Sequence, residues 1–201
     1  MKKQIIVIHG GGSYHTYKKY IVALRDYKLD FERLKRKDWK ENLAEKLGDD
    51  FEVILPKMPN SMNARYKEWE IMFNKLLPFL NDNVILIGHS LGGIFLVKYL
   101  SKNQFPKNIK ATFLVATPYE EKSVNYSLCS FSPPKSLARF QQQGGKIFIY
   151  YSKDDPIVPL SDFNKYKKAL PKARGVIFKD RGHFIGPKFA ELIKDIKSII
   201  K

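Results

Sequence analysis

Short runs of Ile, Val, Leu and Phe, apolar at consecutive positions, recur at 4–8, 51–55, 84–87, 111–116, 146–151 and 175–178, with longer amphipathic segments between them. A strand without hydrophobic alternation needs cover on both faces, which is the situation of a parallel sheet lying between helix layers. The segments 39–47, 65–80, 91–102, 135–143, 161–170 and 187–200 read as those helices. This β, α order predicts a doubly wound α/β sheet with right-handed crossovers, its loops and its ligand site gathered at the carboxyl edge of the strands. No internal repeat and no Ser/Gly-rich linker interrupts the 201 residues, so a single domain over 1–201 is expected.

Composition narrows the class of protein. A hydrophobic share of 44% with 13% aromatics excludes disordered and low-complexity chains, which lack the apolar area to offset chain entropy. The longest apolar runs, such as 84–87 and 94–97, fall far short of the ~20 residues of a membrane span. The apolar stretch 5–8 is shorter than the roughly 7 to 15 residues of a signal-peptide core, so export is not expected. Cys129 is the single cysteine, with no internal disulfide partner and no companion at metal-ligand spacing, which fits a reducing cytoplasm. The net charge of +16 is held almost entirely by the two ends of the chain, most simply as solvated helix faces. No zinc-finger spacing or RNA-binding aromatic signature accompanies it, so nucleic acid is not the expected partner.

Two stretches interrupt the alternation. Residues 12–38 form a basic insertion rich in tyrosine (Tyr14, Tyr17, Tyr20, Tyr27), expected to be extended. Residues 118–134 carry Tyr119, Tyr126, Phe131 and the Pro133-Pro134 pair. Both follow strand ends, and connections of this length are usually functional, so they are candidate lid or pocket walls.

The sharpest local signal is Gly88-His89-Ser90-Leu91-Gly92, followed by Gly93, where the strand 84–87 meets the helix 91–102. A Gly-x-Ser-x-Gly pattern arises by chance roughly 0.07 times in a chain of this length, and its strand-to-helix setting makes it a nucleophile elbow. The alternative is a helix N-cap in an ordinary βα turn. A serine hydroxyl needs a base, and the base needs an acid to fix its tautomer. Of the 4 histidines, His9 follows the first strand and shapes its loop, His89 is expected to point into the fold, and His15 lies in the insertion. His183, between the last strand and the last helix, is the candidate base. For the acid, the loop after 146–151 offers Asp155, fixed by Pro156, with Asp154 as the second choice; Asp180 sits too close to His183 along the chain to be preferred. The amide of Leu91, at a helix N-terminus, and that of Gly11, in His9-Gly10-Gly11-Gly12, are the candidate oxyanion donors. No phosphate-loop ending follows those glycines, so a nucleotide cradle is not expected.

With the elbow, Asp155 and His183 in this order, the chain resembles the α/β-hydrolase superfamily. The segment Asp180-Arg181-Gly182-His183-Phe184 is similar to that of the small serine hydrolases of the retinoblastoma-binding protein 9 family. The resemblance implies a minimal sheet of six parallel strands in the order 2-1-3-4-5-6 with helices on both faces. It also implies the roles already named for Ser90, Asp155, His183, Leu91 and Gly11. The chain departs from the family in Leu91-Gly92-Gly93, closer to general lipases and esterases, and in the long insertion 12–38. The expected function is hydrolysis of a small-molecule carboxylic ester or thioester through an acyl-enzyme, without metal or organic cofactor. Ester is favoured over peptide amide because no extended peptide groove is readable. The competing class is a protein-interaction module on a hydrolase fold with little turnover.

Overall fold

The computed structural model describes residues 2–121 and 127–200. Among them, β1 (Lys3–Ile8), β2 (Phe51–Ile54), β3 (Val84–His89), β4 (Ile109–Val115), β5 (Lys146–Ser152) and β6 (Arg174–Phe178) form one sheet of six strands in the order β2-β1-β3-β4-β5-β6. All five neighbouring pairs run parallel, as the uninterrupted apolar runs require. The chain turns outward to β2 after β1 and comes back past it to β3. The loops leaving β1 and β3 therefore diverge, and a crevice opens at their carboxyl ends.

Side-chain alternation divides the core in two. On one face Ile6, Ile8, Leu86, Leu114 and Ile149 pack with Trp69 and Phe73 of α4 (Tyr66–Leu76) and with Ile94 and Phe95 of α5 (Leu91–Lys102). Phe140 of α6 (Ala138–Gln143) and Tyr166 of α7 (Leu160–Ala169) complete that layer. On the other face Ile5, Val7, Ile85, Ile87 and Phe113 pack with Trp39 and Leu43 of α3 (Trp39–Leu47) and with Leu192 and Ile196 of α8 (Ala190–Ser198). Burying each such side chain contributes about 1.5–3 kcal/mol, so the sheet is held from both sides.

Two segments differ from their expected form. The helix expected over 65–80 stops at Leu76 and continues as a 3₁₀ turn, Leu77–Phe79, because Pro78 has no N–H for an α-helical ladder. The insertion 12–38 holds two helices before α3: α1 (Tyr17–Asp26), capped by Thr16, and the short α2 (Phe31–Leu34), capped by Asp30. In each the cap oxygen accepts from the backbone N–H three residues on, that of Lys19 and of Arg33. Neither helix buries a residue. Among the described residues no helix is long and apolar enough to cross a membrane.

Candidate functional site

β3 carries the chain to the carboxyl edge and α5 carries it away, and Ser90 sits on the turn between them at φ 53°, ψ −119°. An L-residue held there stores on the order of 1–3 kcal/mol, which persists only if the surroundings enforce it. They do so through hydrogen bonds: Ser90 N–H donates to the Val115 carbonyl at 2.8 Å, and the Ser90 carbonyl accepts from Gly93 N–H at 2.9 Å. Close packing adds to this. A Cβ on Gly88 would stand 2.5 Å from the Cα of Gly93, and one on Gly92 would stand 2.3 Å from the Ile8 carbonyl oxygen. The glycines of the elbow therefore let α5 press onto β3 and β1. Leu91 opens α5, so its N–H has no helical carbonyl below it and faces the site with the positive end of the helix dipole behind it.

Asp155 and His183 come from the loops after β5 and β6. Nδ1 of His183 lies 2.9 Å from Oδ2 and 3.1 Å from Oδ1 of Asp155. The Asp155 side chain is only 1% exposed. Its Oδ1 also accepts from the N–H groups of Ile157 and Val158, which closes the Asp-Pro turn around the carboxylate. An ionised carboxylate can only accept, so Nδ1–H of His183 donates to Asp155. Asp154, the second choice for the acid, has another part: its Oδ1 accepts from the Ser152 hydroxyl and from Gly182 N–H, while Ser152 Oγ accepts from Arg181 N–H. The Ser152 hydrogen bond lowers the pKa of the Asp154 carboxyl. Asp154 and Ser152 thus tie the β6–α8 loop to the β5 loop. The Asp180 side chain forms no hydrogen bond or ion pair with a described residue.

The remaining histidines hold backbone in place. His9 Nε2 accepts from Met58 N–H at 2.9 Å, so its proton lies on Nδ1, 2.6 Å from the Gly10 carbonyl oxygen to which it donates. In a trans peptide the C=O and the next N–H point in opposite directions, so fixing the Gly10 carbonyl also fixes the direction of the Gly11 amide. His89 is buried beneath His183, its Nε2 2.8 Å from the His183 carbonyl oxygen. Burial, aided by the charge of Lys40, holds the His89 imidazole well below its usual pKa; it is neutral and donates that hydrogen bond. His15 pairs with Glu121 at 2.9 Å on the surface.

Ser90, His183, His89 and the loop from His9 to Gly12 line one cavity of about 800 Å³, a size suited to a small-molecule ligand. Tyr14, Tyr27, Arg33 and Asp38 of the insertion 12–38 also line it, as do Pro156, Ile157 and Ile185. No described residue of the stretch 118–134 lines this cavity. Residues 122–126 of that stretch lie outside the described residues, and Glu121 and Ser127, with His15, line a neighbouring hollow of about 910 Å³ under α1. Within the described residues, Ser90 Oγ has no hydrogen-bond partner, and none forms a group of three or more His, Cys, Asp or Glu placed to hold a metal ion.

Sequence reasoning missed Lys40 and Trp39, in the first turn of α3. Lys40 lines the cavity, ion-paired with Asp38 and nearly buried, and burial lowers its ammonium pKa against the pull of that partner. Trp39 donates its indole N–H to the Phe184 carbonyl at 2.8 Å and so braces the loop of His183. The readable signal was the capping box Asp38–Glu41 that starts α3. The contact itself joins residues 145 positions apart and leaves no local trace.

Comparison with known proteins agrees with this architecture. The chain is 28% identical over 158 residues to serine hydrolase RBBP9 of Rattus norvegicus, covering 75% of this chain and 78% of that one. It is 26% identical over 144 residues to the YdeN protein of Bacillus subtilis (strain 168), covering 69% and 73%. The crystal structure of the ydeN gene product from B. subtilis superposes with a TM-score of 0.72 at 20% identity over 99% of both chains, which shows the shared fold. The model of the family described as serine hydrolase matches residues 31–186. That match spans well over half of the chain, and the protein therefore belongs to the serine hydrolase family, built on the α/β-hydrolase fold.

Proposed function

We propose that this hydrolase cleaves a carboxylic ester or thioester through an acyl-enzyme. Ser90 is the nucleophile, His183 the general base and acid, Asp155 the carboxylate that orients it, and the amides of Leu91 and Gly11 stabilise the oxyanion. The observation that carries this reading is that His183, with Nδ1 2.9 Å from Asp155, lines the same cavity as the strained Ser90.

Ser90 Oγ attacks the carbonyl carbon as its proton passes to His183 Nε2, and the C=O π pair moves onto oxygen between the two amides. Each such donor is worth about 3–4 kcal/mol in the transition state. Collapse of the tetrahedral intermediate expels the alkoxide or thiolate, which takes the proton from His183. Water, deprotonated in turn by His183, then releases the acid and restores the hydroxyl. The Ser90–His183 hydrogen bond forms in the substrate complex; catalytic contacts of this kind tighten on binding. Tyr14, Tyr27, Ile157 and Ile185 offer apolar surface to an acyl or alcohol chain. The chain works as one domain, with 12–38 as the pocket wall, and its lone Cys129 suits a reducing cytoplasm.

A fluorophosphonate probe should label the wild type and fail to label Ser90→Ala of unchanged melting temperature. p-Nitrophenyl esters of graded acyl length should be hydrolysed by the wild type and at least roughly 10³-fold more slowly by the variant. A wild type that takes no label and hydrolyses no member of the series overturns the proposal and leaves a binding module on a hydrolase fold.

A further inference from the structure

We propose that residues 17–37 form a docking surface for anionic phospholipid, which sets the mouth of the Ser90 cavity against the lipid. Seven large apolar side chains in this one stretch, Tyr17, Val22, Leu24, Tyr27, Leu29, Phe31 and Leu34, are between 41% and 71% exposed. Elsewhere among the described residues such side chains never stand closer than seven positions apart along the chain, which is ordinary for a protein surface; a cluster is not. α1 and α2 bury nothing, so these residues stabilise no core. On α1, Tyr17 and Leu24 are seven residues apart, two helical turns on one face, with Tyr20 and Ile21 between them.

Charge selects the occupant. The stretch holds eight Lys or Arg against three Asp or Glu. A second copy of the chain would bring this positive surface against itself across a two-fold axis, at a cost in repulsion. Nucleic acid would take up the charge through its phosphates and leave the apolar side chains in water. An anionic bilayer uses both: lysine and arginine meet the headgroups while leucine, phenylalanine and tyrosine enter the acyl boundary. Tyr27 and Arg33 of the same stretch line the cavity that holds Ser90 and His183, so the docked face is the one through which ligand enters.

Docking does not depend on the ester reading, and the test keeps the two apart by using Ser90→Ala protein beside the wild type. Co-sedimentation is measured with vesicles of phosphatidylglycerol and phosphatidylcholine in equal amounts, and with phosphatidylcholine alone. Both proteins should bind the mixed vesicles at least roughly tenfold more tightly, and the difference should shrink as salt rises to about 0.5 M. The triple variant Leu29→Ser, Phe31→Ser, Leu34→Ser and the triple variant Lys28→Glu, Arg36→Glu, Lys37→Glu change exposed residues only and should each weaken binding by roughly tenfold or more. Absence of binding, equal binding to both vesicles, or full binding by either triple variant overturns the proposal. So does a wild-type dimer that the apolar triple variant dissociates, since the surface is then occupied by a second chain.

Discussion

The cavity has two walls of opposite character. On one, Ser90 and His183 stand beyond strand ends, His183 hydrogen-bonded to Asp155, and the loops bearing them are cross-tied by Asp154, Ser152, His89 and Trp39. On the other, Tyr27 and Arg33 come from a segment whose two helices bury no residue. The contrast follows from what each wall is asked to do. Proton transfer from a hydroxyl to an imidazole held by a carboxylate, the chemistry proposed for Ser90, His183 and Asp155, tolerates errors of only about 0.5 Å, so such groups belong on fixed elements. A wall that takes no part in that transfer has no such requirement.

If the first wall is the catalytic one, Asp155→Asn should have the largest effect. The amide oxygen of Asn keeps the bonds from Ile157 and Val158, but its NH₂ cannot accept from His183 Nδ1, which favours the wrong tautomer. Ester hydrolysis should fall by roughly 10³–10⁴-fold with the melting temperature nearly unchanged; a fall under tenfold would move the acid elsewhere. Gly92→Ala comes next. Its new methyl would crowd the Ile8 carbonyl, and urea unfolding should show a loss of about 1–3 kcal/mol. A stable variant would mean that α5 is not pinned to β1.

A smaller effect is expected from pH. His89 has its folded-state pKa below the unfolded value, so under acid the unfolded chain takes up a proton that the native one refuses. The stability it contributes is complete above about pH 6.5 and is lost progressively as pH falls below that. In thermal melts between pH 7.5 and 5, His89→Gln, which retains an N–H donor toward His183, should lose less than the wild type; parallel curves would contradict the buried neutral imidazole. The smallest effect belongs to the second wall: Leu34→Ser should change stability by less than about 0.5 kcal/mol and leave hydrolysis of a water-soluble ester within twofold. A larger loss would show that this wall is packed after all.

Much of this was legible before any coordinates. The apolar runs at 84–87 and 111–116 announced buried parallel strands, and the elbow announced its own turn, because both are local consequences of side-chain type. Pairing Asp155 with His183 was readable in outline, since loop position after β5 and β6 decides it. What Asp154 does was not, because two adjacent aspartates differ only in which way a turn aims them. The helices in 12–38 escaped notice because their sequence has the apolar spacing of a helix without a core to receive it. Lys40 was invisible for the reason given by its site: its neighbours come from distant loops.

The ties from Ser152 and Asp154 to the backbone of Arg181 and Gly182 have a mechanical result. They make Asp155 and His183 a single part that travels together, so a disturbance along β5 or β6 would leave that couple intact while changing its reach toward Ser90. Loss of function in such a protein would show as a widened gap at one joint, with every component still correctly made.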